Sequence, residues 1–357
     1  MVKVFEVGSE YDWESTKPYL QNKKNEKFQS ANDSIFKFLR SGRDTLRYIA
    51  KAYKSSKRTI LMPALCCSCM PEPFYDEGYK VIYYKLTDSL QVDIIDVLNK
   101  IQDDSIFLFM NFFAISSLNE EKLKVIIQSK KNILTIEDIT HNFLSCELEK
   151  SFADITVCSI RKWFSIADGG MLFSKVEIPK LELDEDYFFS ELRFKAMQLK
   201  SEYLRTGNIE QKISFRKSLV EANNYIDNVK NLVKMTESSE EILKRINLSE
   251  IYKLRFKNTT LLFEKLKNIK SIKLLNTDSI KSTLYFPIIV SNQKEVQNKL
   301  AKENIYVPVI WPLPKEANGI CRVADKIAEH ILAIPCDHRY TRQDMEKIVE
   351  IVSNIMN

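Results

Sequence analysis

The sequence predicts an α/β protein, with a mainly parallel sheet in a large first domain and a smaller α+β domain after it. Apolar strand-like runs alternate with helical patterns through the first half of the chain. Long helical stretches rich in Lys and Glu follow from about Leu181, and strand patterns return after them. The length of 357 residues is enough for two compact domains, which we assign to residues 1–210 and 211–357.

The first domain is interpreted from the periodicity of its apolar residues. A helix follows Arg43, and further helical stripes lie at 94–101 and 123–127. The predicted strands are residues 59–62, 80–84, 106–112, 133–136, 155–158 and 171–173. Because these runs are almost wholly apolar, we expect a parallel sheet that is buried on both faces.

The second half begins with helices from Leu181 to about Leu248, a stretch without proline. The elements predicted after it are a helix at 261–269, strands at 271–275, 284–290 and 306–310, a helix at 293–303 and a closing helix after Thr341. The connection to the first domain is therefore helical and not a Gly/Pro-rich linker.

Composition excludes two common classes of nucleotide-binding enzyme. Only seven glycines occur, and only Gly169 and Gly170 are adjacent. A dinucleotide-binding G-x-G-x-x-G turn and a G-x-x-x-x-G-K-[ST] phosphate loop both need several glycines close together. Ordinary NAD dehydrogenases and P-loop NTPases are therefore ruled out.

Charge, hydropathy and cysteine content indicate where the protein acts. The 53 Lys and Arg and 48 Asp and Glu give a net charge of +5 in mixed stretches, which is poor evidence for nucleic-acid binding. The start of the chain lacks a secretory signal, and the most apolar run, 106–115, contains Asn111 and is too short to cross a bilayer. Seven cysteines without a regular framework fit reduced thiols. We therefore expect a cytoplasmic protein that binds neither nucleic acid nor membranes.

The first segment with chemical potential is Ser41-Gly42-Arg43-Asp44-Thr45, which leads directly into a predicted helix. Small residues at a helix start leave backbone N–H groups free, and the helix dipole favours an anion such as phosphate there. Taken alone, the segment is more typical of an ordinary helix start than of a phosphate site.

The second segment is a buried strand that ends in Glu137 and Asp138, with His141 three residues further on. A carboxylate at that depth is costly unless it meets a cation or a hydrogen-bond donor. Either acid alternatively caps the following turn. The chain has only three histidines, and one beside a buried acid favours a functional site.

The third segment runs from Ser159 through Lys162 to Asp168-Gly169-Gly170. A lysine held among apolar side chains loses preference for its charged form, as a Schiff-base nucleophile requires. The paired glycines would let the backbone turn tightly and approach a ligand. A surface lysine before a hairpin is the alternative interpretation.

Taken in order, the three segments resemble the fold-type I pyridoxal-phosphate enzymes, and most of all the DegT/DnrJ sugar aminotransferases. Residues 41–46 resemble that family's S-G-T-x-A-L phosphate loop, and 137–141 resemble its E-D-A-A-[HQ] segment. Residues 162–170 resemble its K-x-x-x-x-G-E-G-G segment, with Ala167 and Asp168 in place of Gly and Glu. Ile334-Pro335 resembles the closing strand, so the likeness covers most of the chain. The resemblance implies an aspartate aminotransferase type of large domain.

The resemblance also implies a role for each matched residue toward pyridoxal 5'-phosphate. Lys162 would hold the cofactor covalently and later move the proton between Cα and C4′, and Asp138 would keep the pyridine nitrogen protonated. His141 would lie by the phenolic oxygen. The residues assigned to the phosphate are Gly42, Arg43 and Asp44 through their amides, and Ser159 as a further donor.

Two departures from the family pattern are visible. After Pro63, where the family places an aromatic residue that stacks on the ring, the chain has Cys66, Cys67 and Cys69. Either Cys66 or Cys67 would offer a sulfur contact instead, or the stacking would be weak. No second Cys/His pair lies at a spacing that would complete a zinc site, so we predict no metal. The family's Asn-Tyr-Arg segment, which reaches the neighbouring subunit's site, is not recognisable.

The resemblance implies an aminotransferase that moves an amino group from an amino acid such as glutamate to a keto-sugar, nucleotide-linked as in the family. A homodimer is implied in the same way. Two alternatives stay open, namely an enzyme with the same cofactor that acts on a small or phosphorylated carbonyl compound, including by elimination, and a non-catalytic protein that retains the fold.

Overall fold

The computed structural model describes residues 4–25, Phe28, 36–275 and 281–356. The strands within these residues are β1 (Val7–Gly8), β2 (Phe36–Leu39), β3 (Thr59–Pro63), β4 (Lys80–Tyr84), β5 (Ser105–Met110), β6 (Leu134–Asp138), β7 (Ile155–Cys158), β8 (Gly170–Ser174), β9 (Lys273–Leu274), β10 (Tyr285–Ile289), β11 (Ile305–Tyr306) and β12 (Ile331–Pro335). The α-helices are α1 (Gly42–Tyr53), α2 (Glu72–Asp76), α3 (Ile94–Lys100), α4 (Glu120–Ser129), α5 (Phe188–Thr206), α6 (Ile209–Asn228), α7 (Glu237–Arg245), α8 (Leu248–Leu266), α9 (Gln293–Lys302), α10 (Arg322–His330) and α11 (Arg342–Met356).

Seven of these described strands form the main sheet, in the order β2-β8-β7-β6-β5-β3-β4. The neighbours from β7 to β4 pair in parallel, whereas β8 is antiparallel to both β7 and β2. All residues of β3, β5, β6 and β7 are buried, as strands covered by helices on both faces require. The predicted fold class, an α/β protein with a mainly parallel sheet, is confirmed.

The C-terminal region contains two small sheets. Strand β10 pairs antiparallel with β12 and β9, and β11 pairs in parallel with β1 from the start of the chain. Val7 therefore lies in the same apolar core as Leu262, Leu300 and Ile348. The N-terminal segment is thus packed against the C-terminal region, and residues 8–11 are brought to the edge of the main sheet.

Several sequence-based bounds differ from the structure. The helix predicted at 261–269 is the end of the longer α8, and the strand predicted at 306–310 shares only Tyr306 with β11. Pro308 follows closely and has no N–H to donate to a neighbouring strand. The predicted domain boundary at 210/211 falls within α6, which packs along α5 as a helical hairpin, and the division into two domains stays a prediction.

Within the described ranges, none of the helices combines the length and the apolar character needed to cross a membrane.

Candidate active site

The candidate site lies at the edge of the main sheet where the parallel strands end. Because β2, β3, β6 and β7 all point to this edge, the segments that follow them meet there. They enclose a cavity of about 90 Å³, which we call the inner cavity. Its lining includes Ser41, Gly42, Arg43, Cys67, Cys69, Met110, Asp138, Thr140, Ser159, Arg161, Lys162 and Trp311. The structure thus brings together six of the eight predicted site residues, and His141 and Asp44 lie elsewhere.

The start of α1 presents backbone amides to the inner cavity. Ser41 is the N-cap, and its Oγ accepts a hydrogen bond from the Asp44 amide at 3.2 Å. The Thr45 amide is bonded to the Ser41 carbonyl, within the helix pattern. Among the described residues, no acceptor is found for the amides of Gly42 and Arg43, and these two N–H groups are available to an anion.

Asp44 does not reach the cavity. Its carboxylate accepts two hydrogen bonds from the Arg40 guanidinium, at 3.0 and 3.1 Å, and one from the Ser41 hydroxyl at 2.9 Å. Since its amide is also bonded to Ser41, Asp44 stabilises the start of α1 from the side that faces away from the inner cavity. The expectation that the Asp44 amide binds phosphate is not supported by this geometry.

The Arg43 side chain is turned away from the sheet edge. Its guanidinium donates to the Ile226 carbonyl at 2.9 Å and to Asp227 at 2.7 Å, and its Nε lies 3.4 Å from Glu72. These contacts tie α1 to α6 and α2. Arg43 therefore offers its amide to the inner cavity, while its charge is balanced outside it.

Arg161, which the sequence analysis did not assign, contacts the inner cavity instead. Its Nε is sealed from solvent and has no hydrogen-bond partner among the described residues. The nearest carboxylate, Glu10, lies 4.0 Å away and is itself bonded to Arg193 at 2.8 Å. Burial and the charge of Arg193 lower the pKa of Arg161 to about 10, so it remains cationic at neutral pH. Its place directly before Lys162 is the only sequence signal for this role.

The two acids at the end of β6 point to opposite sides of the sheet, as alternation along a strand requires. Glu137 accepts hydrogen bonds at 2.5 Å from both Asn111 and Ser151, on the side away from the cavity. Asp138 faces the cavity and accepts one hydrogen bond from the Thr140 amide at 2.8 Å. Burial raises the pKa of Asp138, against the opposing effects of Thr140 and Lys162.

Lys162 follows β7 and lines the inner cavity as well as a second, larger one. Its ammonium makes no hydrogen bond or ion pair with any residue in the described ranges. The Lys162 amide is bonded to the Ser159 carbonyl at 3.2 Å, and the Ser159 amide donates to the Thr140 hydroxyl at 3.0 Å. Lys162 is therefore held by its backbone, with its amino group open to both cavities.

The paired glycines serve backbone packing rather than ligand approach. A Cβ atom at Gly170 would lie 2.1 Å from the Ser41 carbonyl oxygen, so β8 can pass the start of α1 only as glycine. Gly169 has a φ of +146°, a region that side chains disfavour. The interpretation that these glycines approach a ligand is corrected accordingly.

His141 lines the larger cavity, which we call the outer cavity, and not the inner one. Its ring stacks on Trp311 at a centroid distance of 5.1 Å and lies 4.7 Å from the Phe113 ring. Burial, together with the charge of Lys162, holds the pKa of His141 well below its usual value, so the imidazole is neutral. Trp311, which lines both cavities, was not assigned from the sequence because it comes from the distant C-terminal region.

Cys67 and Cys69 line the inner cavity on the side of β3, and their sulfur atoms are 3.0 Å apart. The hydrogen bond from Cys69, together with the charge of Lys162, lowers the pKa of Cys67 to about 6 against the effect of burial. The described ranges hold no group of three or more His, Cys, Asp or Glu side chains arranged to bind a metal.

The outer cavity has a volume of about 590 Å³, within the range of small-molecule sites. Its polar lining includes Glu10, Tyr11, Asn223, Arg255, Tyr285, Asn298, Asp337 and Arg339. Arg255 is bonded to two backbone carbonyls and to Tyr11, and Arg339 to Asp337. Arg161 and Lys162 are the cations of this cavity for which the described residues supply no hydrogen-bond acceptor.

Comparison with known proteins identifies the fold. No family model and no curated protein sequence matches the chain. Among solved structures, an aminotransferase from Helicobacter pylori involved in pseudoaminic acid biosynthesis, PseC, superimposes with a TM-score of 0.65 at 12% identity, over 100% of this chain and 99% of that chain. A DegT DnrJ EryC1 StrS aminotransferase from Brucella abortus gives 0.62 at 14% identity, over 90% and 86%.

A putative sugar aminotransferase from Streptococcus pneumoniae in its PLP form gives 0.64 at 13% identity, over 99% and 92%. At these identities the likeness establishes the fold. The chain therefore has the fold of the DegT/DnrJ-type aminotransferases, the fold that the resemblance of its three segments implies.

Proposed function

We propose that the chain is a pyridoxal 5'-phosphate-dependent aminotransferase that acts on a keto-sugar. One observation carries the proposal: the amino group of Lys162 opens to an inner cavity that has two helix-start amides without an acceptor among the described residues on one side and the Asp138 carboxylate on another. The fold shared with structures whose names describe sugar aminotransferases supports it.

The residues around the inner cavity fit this cofactor. The amides of Gly42 and Arg43, the Ser159 hydroxyl and the Arg161 guanidinium suit a phosphate group, since all are donors and one carries charge. We therefore assign the charge-assisted phosphate contact to Arg161 in place of Arg43. Cys67 would supply the sulfur contact to the ring that the sequence suggests.

The cofactor, when bound, acts as an electron sink that stabilises a carbanion at the substrate Cα. Lys162 would bind it covalently and, once released, carry the proton at Cα. The Asp138 carboxylate would keep the ring nitrogen protonated, and a cation at that position would offset the burial that raises the pKa of Asp138. The neutral His141 beside the outer cavity would lie toward the phenolic oxygen and can donate or accept a hydrogen bond there.

The outer cavity would take the substrates. Its hydroxyls, amides and guanidinium groups suit a sugar with an attached anionic group, and we assign it a nucleotide-linked keto-sugar and, in the other half of the reaction, an amino acid donor such as glutamate. We place this reaction in the cytoplasm.

A homodimer is part of the proposal. Three large apolar residues of α6, namely Ile209, Ile213 and Val220, are 60%, 63% and 58% exposed and share one helix face. A second copy that covers this face would lie close to Asn223, which lines the outer cavity. Sedimentation of an Ile213→Asp variant tests the assignment, and we expect a monomer.

Borohydride reduction tests the central assignment. Purified protein is incubated with pyridoxal phosphate, reduced with sodium borohydride, digested and mapped, and the pyridoxyl group should lie on Lys162. The strongest competitor for the label is Lys200. Burial and the nearby charge of Arg339 lower the pKa of Lys200 to about 8. It lies outside both cavities, and its ammonium donates to the carbonyls of Gly8 and Glu10.

Lys200→Arg should therefore keep the label and Lys162→Ala should lose it. A label on Lys200, or no label, would overturn the proposal. Amino-group transfer assayed with keto-sugars, nucleotide-linked or not, and with small or phosphorylated carbonyl compounds then separates the sugar substrate from the alternatives.

A further inference from the structure

The turn that follows β3 holds two thiols against each other inside the inner cavity. The sulfur atoms of Cys67 and Cys69 are 3.0 Å apart. The Met70 amide donates to the Cys67 carbonyl at 2.9 Å and closes the turn that contains both residues. Because an S–S bond measures about 2.05 Å, the two sulfur atoms need to approach by only about 1 Å to form one.

The surroundings shift the pKa values of the two thiols in opposite directions. The hydrogen bond that Cys69 donates and the charge of Lys162 stabilise a thiolate at Cys67, and the pKa of Cys67 falls to about 6. The pKa of Cys69 is raised well above its usual value by its hydrogen bond to Cys67 and by burial, so it remains a thiol. A stabilised thiolate beside a second thiol is the arrangement of oxidation-sensitive cysteines.

Cys67 and Cys69 are partly exposed, whereas the adjacent Cys66 is fully buried. Burial raises the pKa of Cys66, which leaves it unreactive. A small oxidant that enters the inner cavity therefore reaches Cys67 and Cys69 but not Cys66.

We propose that Cys67 and Cys69 are a reversible oxidation site, at which hydrogen peroxide converts the two thiols into a disulfide in the wall of the inner cavity. This inference does not depend on the proposed aminotransferase activity, because it rests on the two thiols and the charges around them.

The chemistry proceeds in two balanced steps. The Cys67 thiolate attacks one peroxide oxygen, the O–O bond breaks, and the hydroxide that leaves takes a proton from solvent to give a sulfenic acid and water. The Cys69 sulfur then attacks the sulfenic sulfur, the S–O bond breaks, and the departing hydroxide takes the Cys69 proton as a second water. Two thiols lose two electrons, and the peroxide is reduced to water. An added dithiol reverses the oxidation by exchange.

The experiment treats the purified full chain with hydrogen peroxide, unfolds it in denaturant, alkylates the remaining thiols, and measures the tryptic fragment 59–80 by mass spectrometry. This fragment contains Cys66, Cys67 and Cys69 and no other cysteine. We expect it to lose two hydrogen atoms and to carry one alkyl group, on Cys66. Dithiothreitol before alkylation should restore three alkyl groups.

Two variants identify the partners. Cys66→Ala should still form the disulfide, with no alkyl group left on the fragment. Cys69→Ser should form none, and its Cys67 should be trapped as a sulfenic acid by dimedone. The proposal is overturned if the unmodified fragment keeps three alkyl groups after peroxide, if dithiothreitol fails to restore them, or if Cys69→Ser still loses two hydrogen atoms through a Cys66–Cys67 pair.

Discussion

The Cα of Gly42 faces Ser159 so closely that a Cβ atom at position 42 would lie 2.8 Å from the Ser159 Cβ and 3.2 Å from its Cα. The start of α1 therefore packs directly against the residue that follows β7, three residues before Lys162 in the sequence. This contact places the free amides of α1 and the Ser159 hydroxyl on the same wall of the inner cavity. Glycine at position 42 is thus required by the backbone approach itself.

Gly42→Ala should therefore destabilise the protein and weaken cofactor binding together. Crowding in a packed site costs about 1–3 kcal/mol, and relief by moving α1 outward would displace the amides that we assign to the phosphate. Thermal unfolding without cofactor and titration with pyridoxal phosphate measure the two effects. Ser159→Gly in the same chain removes the nearest clashing atom and should restore part of the stability. If Gly42→Ala unfolds and binds like the unsubstituted protein, α1 is not pressed against β7.

Arg161→Gln should weaken binding of pyridoxal phosphate more than Arg43→Gln. A charge-assisted hydrogen bond contributes about 1.5–3 kcal/mol, so the dissociation constant should rise about tenfold or more. Arg43→Gln breaks contacts to Asp227 and the Ile226 carbonyl instead, and should lower stability with a smaller effect on binding.

Pyridoxal, which lacks the phosphate, supplies the control for this comparison. Its affinity should be unchanged in Arg161→Gln if the guanidinium contacts the phosphate. An equal loss of affinity for pyridoxal and pyridoxal phosphate would show that Arg161 acts on the ring or on the cavity as a whole. A larger loss of affinity for pyridoxal phosphate in Arg43→Gln than in Arg161→Gln would show that Arg43 makes the phosphate contact.

The sequence predicts the central strands β3, β5, β6 and β7 of the main sheet well because they are buried on both faces. The partly exposed strand β2 is not predicted. Residues 155–158 are predicted with the bounds of β7, because a continuous apolar run marks a wholly buried strand. Residues 80–84 also match β4, although Lys80 is exposed and the next two residues are only partly buried. Helix α8 is predicted only at its end. Its middle carries the buried polar residues Arg255 and Asn258, which bond to backbone carbonyls of other segments and interrupt the apolar stripe.

The candidate site is predictable where its residues follow strand ends in sequence, as Asp138, Ser159 and Lys162 do. Side-chain direction is not predictable in the same way. Nothing near Arg43 in the sequence indicates that α6 captures its guanidinium, and nothing near Trp311 places it on His141. These contacts join residues far apart in the chain and depend on how the C-terminal region packs against the sheet.

We expect Asp168 to stabilise the fold, by an amount that depends on pH. Its carboxylate accepts hydrogen bonds from the Thr236 amide at 2.9 Å and the Thr236 hydroxyl at 2.7 Å, at the start of α7. Asp168→Ala leaves both donors buried without a partner and should cost at least about 1–3 kcal/mol of unfolding free energy. Asparagine can accept from the amide and donate to the hydroxyl, so Asp168→Asn should cost less.

The pH dependence follows from burial, which raises the pKa of Asp168 in the folded state. An acid with a raised folded-state pKa binds more protons folded than unfolded, so its contribution is largest below the unfolded pKa and declines as pH rises through the folded value. Asp168→Asn does not titrate, and its stability relative to the unsubstituted protein should rise over that interval. Denaturant midpoints measured across the acid range test this, and a constant difference would mean that the folded-state pKa is not raised.

Asp138→Asn should leave the fold intact and slow the half-reaction strongly. Asparagine keeps an oxygen that accepts the Thr140 amide hydrogen bond, so the end of β6 should hold its geometry. It has no negative charge to keep a ring nitrogen protonated, and the electron sink weakens. Single-turnover rates with glutamate and the absorbance change of the bound cofactor measure the effect, with the unfolding temperature as the check on the fold.

Glu137 supplies the matched control, because it is the adjacent acid on the same strand and faces away from the inner cavity. Glu137→Gln weakens the hydrogen bonds with Asn111 and Ser151 and should lower stability, while the half-reaction keeps its rate. The two variants therefore distinguish the effect on the half-reaction of a charge that faces the inner cavity from the effect of a charge on the other side of the same strand. Equal rates for Asp138→Asn and the unsubstituted protein would reduce Asp138 to a structural acid that caps the turn at Thr140, and the proton on the ring nitrogen would then need another source.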